Sequence, residues 1–193
     1  MRVRHPDGQV FSFDAGALCL ELCSATGGEG FRARFETLHT PADLAAFVAA
    51  GRLGIDPAEV AVTDADLAAV KRLREAIWSG AFALATGGGL AQRDADVINE
   101  LARGAAPVPQ IGPGGARSWR RPVRGRQIAA AIARDAVATL TPPTSARVRM
   151  CAADNCSLIY LDTSRPGHRR WCSMDRCGNR AKVRDHRLRK DRS

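Results

Sequence analysis

Aromatic residues are scarce: six Phe, three Trp and a single Tyr make up 5% of the 193 residues. Long apolar runs are missing altogether. None approaches the roughly 18 residues a membrane-spanning helix needs, so no membrane association is expected. Asp7, Asp14 and Glu21 interrupt each stretch near the start that could form the apolar core of a signal peptide, which predicts a cytoplasmic location. The chain also lacks a phosphate-cradling glycine motif, a GxSxG elbow and an HExxH pattern. Gly87-Gly88-Gly89 follows no strand and precedes no lysine, so it reads as a helix stop. No enzymatic activity is expected. What remains is 45% hydrophobic and 25% charged, the balance of a globular protein rather than a disordered one.

Positive charge is concentrated at one end. Residues 147–193 hold 13 basic and 5 acidic side chains, whereas residues 1–146 hold 16 and 15. A basic tail alone could be a solvated arm, but this one also carries four of the six cysteines. Two units with separate jobs follow: a domain over 1–141, a linker over 142–146 and a small basic module over 147–193.

The large unit reads as mostly helical with a small β element. Gln9 to Phe13 alternates apolar and polar residues and predicts a strand, with helical spacing of Leu18, Leu22 and Ala25 behind it. The connection through Phe31 and Phe35 is poorly defined, with a strand as one reading. Thr40-Pro41-Ala42-Asp43 and Thr63-Asp64-Ala65-Asp66 each place a capping hydroxyl three residues before a carboxylate, a helix-start signature. The second opens the longest helix, with Leu67, Val70, Leu73, Ile77, Ala81 and Leu84 on one stripe. Further helices are predicted over about 93–103 and 127–140, with turns or edge strands between them and a possible strand over 118–123. Thr141-Pro142-Pro143-Thr144 ends the last helix. Amphipathic helices of this kind imply a core that needs no metal.

In the small unit the spacing is Cys151-x4-Cys156, then Cys172-x4-Cys177. Two knuckles of paired thiolates are what a tetrahedral zinc ion requires. A unit of under fifty residues with few large apolar side chains needs such a staple. Disulfides do not suit the expected compartment, and the spacing does not fit a plant-type iron–sulfur site. One structural Zn2+ held by Cys151, Cys156, Cys172 and Cys177 is therefore expected. Four thiolates leave no open position for a catalytic water. His168 and His186 read as surface residues rather than substitute ligands. Cys19 and Cys23, at i and i+4 on an apolar helix, read as small buried hydrophobes. Between the knuckles, residues 158–161 and 169–171 predict a hairpin, and a helix follows to about Lys190. Together these give a treble-clef-like module.

On that helix Arg180, Arg184 and Arg187 share a face. Lys182, Arg189 and Lys190 widen the positive surface, and Arg169, Arg170 and Arg176 extend it from the hairpin and knuckle. Val183 and Leu188 remain for packing inward. A one-signed rod of this length suits a duplex groove, and guanidiniums suit both phosphates and guanine edges. Nucleic acid is the expected partner.

The string Cys177-Gly178-Asn179-Arg180, closing a four-cysteine site and opening a basic helix, resembles the CGNR zinc-finger family of bacteria, as does Trp171-Cys172-Ser173. In that family the finger follows an ABATE domain, whose name assigns it to stress-induced transcription regulation. Leu18-Cys19-Leu20-Glu21-Leu22 and Thr40-Pro41-Ala42-Asp43-Leu44 resemble its early motifs. Cys23-Ser24-Ala25 departs from a Val-Asn-Thr-like stretch in relatives. The resemblance implies a DNA-binding regulator whose N-terminal domain senses a small-molecule effector or mediates assembly as a homodimer. DNA is favoured over RNA. An RNA- or ribosome-associated zinc protein and a zinc-stabilised protein-interaction module are the alternatives.

Overall fold

The computed structural model describes residues 2–4 and 8–190; the side chains of residues 4, 185, 186, 188 and 189 fall outside the description. The fold is α+β and mostly helical. Six α-helices are described: α1 (Leu18–Ala25), α2 (Pro41–Ala50), α3 (Asp64–Ala85), α4 (Gln92–Ala102), α5 (Gly125–Leu140) and α6 (Asn179–Lys190). Among the described residues the β structure comes as four separate two-stranded ribbons. Three are antiparallel: β1 (Arg2–Arg4) with β2 (Val10–Ser12), β4 (Pro109–Ile111) with β5 (Arg117–Trp119), and β7 (Val148–Met150) with β8 (Ile159–Leu161). The fourth joins β3 (Val60–Ala61) to β6 (Val123–Arg124) in parallel.

Both predicted capping boxes form. The Thr40 hydroxyl accepts from the Asp43 amide while the Asp43 carboxylate accepts from the Thr40 amide, and Thr63 and Asp66 repeat the exchange. Each box satisfies two amides that a helix start leaves without intrahelical partners. Helix α1 has no such residue of its own. Asp135 of α5 supplies the acceptor instead, taking the Cys19 amide at 2.8 Å. The segment through Phe31 and Phe35 is a 3-10 helical turn over Gly30–Phe35, not a strand.

Helices α3, α4 and α5 pack on one another, and α1 lies against α3 and α5. The predicted stripe of α3 is buried at Leu67, Val70, Leu73, Ile77 and Ala81. So is Arg74, at 1% exposure, among these apolar neighbours. The ribbon β7–β8 sits on α3 and α1, and one hydrophobic core runs from Phe11 and Phe13 through the helices to Ile159 and Tyr160. The two units are thus joined by a shared core.

Candidate functional site

The zinc site starts from the two knuckles. After β7, Cys151 donates its amide to the Leu158 carbonyl at 2.9 Å, and Cys156 donates its own to Ala153 at 3.0 Å. These turns bring both sulfurs to one side. The chain then runs through β8 and a turn fixed by Asp162. That buried carboxylate accepts from the amides of Ser164 and Arg169, each at 2.9 Å. The predicted second strand at 169–171 does not form; β8 pairs backward with β7. Residues 169–171 are held by other bonds, from the Ala152 amide to the Arg170 carbonyl at 2.9 Å and from the Tyr160 hydroxyl to the Arg169 carbonyl at 2.8 Å. Cys172 follows, and a wide helical turn over Met174–Gly178 delivers Cys177 just before α6.

The four sulfurs lie within 4.8 Å of one another. Cys156 and Cys172 are 3.8 Å apart, Cys172 and Cys177 3.5 Å. A tetrahedron with zinc–sulfur bonds of about 2.3 Å has edges near 3.8 Å, so the cluster has the dimensions the ion requires. Four crowded sulfurs cannot all ionise without a cation among them. The Cys172 amide approaches the Cys151 sulfur at 3.4 Å, and the Arg180 guanidinium approaches Cys177 at 3.8 Å. Both contacts offset the two excess negative charges of a tetrathiolate zinc centre. These four cysteines make one structural zinc site. His168 is exposed and outside the cluster, and the His186 side chain lies outside the described residues.

The basic residues divide into two groups. Arg180, Lys182, Arg184, Arg187, Lys190 and Arg170 are exposed. Asn155 accepts from Arg180 at 2.8 Å and Asp154 from Arg184 at 2.8 Å, so the first knuckle orients the first two arginines of α6. With Arg187 they line a groove of about 590 Å³ between α6 and Gln9 of the N-terminal segment. The Arg189 and Leu188 side chains lie outside the described residues.

Two expected contacts are corrected. Arg176 is 1% exposed: the wide turn aims it inward, where it lies 5.5 Å from the Phe11 ring and donates to Gln9. Arg169 is half-buried, 4.0 Å over the Tyr160 ring, and binds the carbonyls of Trp171, Asp14 and Cys172. Its guanidinium is spent on internal backbone. Val183, expected to pack inward, is 50% exposed. Helical spacing marks which residues share a face, but not which way a short helix turns relative to the metal knuckle.

Cys19 and Cys23 are buried, and burial pushes the Cys23 thiol up to about 12 and Cys19 well above its usual value. Both are apolar packing groups rather than reactive thiolates.

Among the described residues, no helix is long and apolar enough to cross a membrane. Comparison with protein families matches residues 147–190 to the CGNR zinc finger. Residues 16–143 match ABATE, described as "Putative stress-induced transcription regulator". No curated protein matches the chain. With about two thirds of its length in the first match and the zinc cluster in the second, the chain belongs to the ABATE family and ends in a CGNR zinc finger.

Proposed function

We propose that the protein is a DNA-binding transcription regulator without catalytic activity, in which the finger contacts the nucleic acid and the N-terminal domain senses a small molecule or mediates assembly. One observation carries this reading: α6 begins two residues after the last zinc ligand and exposes Arg180, Lys182, Arg184, Arg187 and Lys190. The metal fixes the start of the helix, and a fixed helix can present guanidiniums to base edges. Arg180 and Arg184, oriented by Asn155 and Asp154, suit that role. Arg187 and Lys190, farther from the anchor, suit phosphates. The effector reading is supported by a cleft of about 530 Å³ between α1 and α2, lined by Glu21, Thr26, Thr37, Asp43 and Phe47.

The test is titration of the zinc-loaded protein with duplex DNA and matched RNA over a range of salt. Five phosphate contacts give a log–log slope near −4.5 on B-DNA. Arg187→Ala should weaken all sequences alike and reduce the slope by about one. Arg184→Ala should cost about 1–3 kcal/mol on a preferred site and little elsewhere. Equal or tighter binding to RNA overturns the DNA assignment. Salt-independent binding, or none, overturns the nucleic-acid reading; the exposed Met174 and Val183 then favour a protein partner.

A further inference from the structure

A second cationic surface lies in the N-terminal domain. Residues 101–134 contain seven arginines and no acidic residue, a bias concealed by the near-neutral total of residues 1–146. All seven are exposed. Arg134 is taken up by the carbonyls of Ala102 and Gly104, and Arg121 by Glu59. Among the described residues Arg103, Arg117, Arg120 and Arg126 have no acidic partner.

Within this stretch stands the β4–β5 hairpin. Every residue of β4 is exposed. The tip turns through Gly114 and Gly115, at φ +69° and +80°, and Gly112 donates to the Ala116 carbonyl at 2.7 Å. Ile111 is 88% exposed, well above the other large hydrophobic side chains at the surface. Among the described residues the anchoring lies at the base: Trp119 is buried under the Arg117 guanidinium at 4.6 Å, and Arg120 donates its amide to Val108 at 2.9 Å. An isolated two-stranded ribbon is marginal in water. Holding one out, with an apolar residue near its tip and arginines along its return strand, has no packing reason.

The combination matches what a duplex minor groove accepts. That groove is narrow and strongly negative, and draws arginine. Isoleucine and proline are among the side chains that wedge between its base steps. We propose that the β4–β5 hairpin is a DNA-contacting arm, with Ile111 at the minor groove and Arg117 and Arg120 on the flanking phosphates. The arm shares only the choice of ligand with the reading of the finger.

The experiment titrates the full-length, zinc-loaded protein with a short duplex rich in TA steps at several salt concentrations. Arg117→Ala/Arg120→Ala should lower affinity about ten-fold or more and reduce the salt slope by about two. Ile111→Ala should lower affinity with the slope unchanged, since it removes no charge. All these side chains are exposed, so unchanged zinc content and melting temperature certify the fold. Arm variants that bind like the parent protein overturn the proposal. If instead they bind DNA normally but no longer sediment with phosphatidylglycerol vesicles, the surface is a membrane contact and the proposal is likewise overturned. Arg184→Ala/Arg187→Ala is measured alongside. Loss in the arm variants with none in this one retains the arm and overturns the finger reading; no binding by the parent protein overturns both.

Discussion

Arg74 meets Glu36 in a two-pronged pair, with Nη1 donating to Oε1 at 3.0 Å and Nη2 to Oε2 at 2.7 Å. The same guanidinium reaches Glu75 Oε1 at 3.0 Å and the Thr26 carbonyl at 2.8 Å. One buried side chain of α3 thereby fixes the end of α1 and the segment leading to α2. Replacing Arg74 with Met strips both guanidinium bonds from the part-buried Glu36 carboxylate, leaving it the Leu38 amide and Lys71, and leaves the Thr26 carbonyl only the longer bond from the Thr37 amide. A loss of about 3–5 kcal/mol is expected in urea denaturation, the range for breaking one side of a buried pair.

The acid limb of stability should carry the same signature. Burial works to raise the Glu36 carboxyl, but the Arg74 guanidinium and the Leu38 amide outweigh it and hold it at about 2, against an ordinary 4.5. A folded value below the unfolded one stabilises at neutral pH. That contribution persists above about pH 4.5 and is lost as pH falls toward 2. Its ceiling is about 3 kcal/mol. In stepped-pH denaturation, Glu36→Gln should be less stable than the parent protein at pH 7 and lose less on acidification through this window. Parallel acid limbs would assign the loss to other groups.

Zinc removal should reach beyond the finger. Leu161 of β8 donates to the Ala15 carbonyl at 2.9 Å, and a Cβ on Gly16 would stand 2.5 Å from the Leu161 carbonyl oxygen. The parent protein should hold one zinc and melt in one transition. Cys172→Ser should lose the metal and lower the melting temperature read from the N-terminal helices too. Gly16→Ala, forced to φ +79°, should destabilise by roughly 1–3 kcal/mol. Separate melting of the two units, with the helices indifferent to a chelator, would show that the shared core carries little coupling.

The capping boxes permit a smaller, local test. Thr63→Ala removes the acceptor of the Asp66 amide at the start of the longest helix. It should cost about 1 kcal/mol, with zinc content unchanged.

These residues also show what the sequence reveals by itself. Thr40 and Thr63 announce their helices because a cap is a contract among four consecutive residues. The cysteine spacing announces the zinc because each knuckle is equally local. Long-range choices are a different matter. β8 pairs with β7 rather than 169–171 because the Asp162 carboxylate claims the Arg169 amide, an interaction seven residues away in the chain. Arg74 lies within an apolar stripe, and only the approach of Glu36 and Glu75 makes its burial tolerable. Arg176 reads as surface charge until the wide turn aims it at Phe11. The arginines of 101–134 were invisible in a total charge averaged over the whole domain.

The seam between the units bears on how such a protein can be rebuilt. Arg169 grips the carbonyls of Asp14 and Cys172 together, and β8 lies so close to Gly16 that no side chain fits between. A finger transplanted onto another carrier would leave Arg169 without one of its three carbonyls, and Tyr160 and Ile159 facing water. Swapping fingers to redirect recognition would require moving β2 and the turn at residues 14–16 with them: the unit of exchange is a discontinuous piece drawn from two distant parts of the sequence.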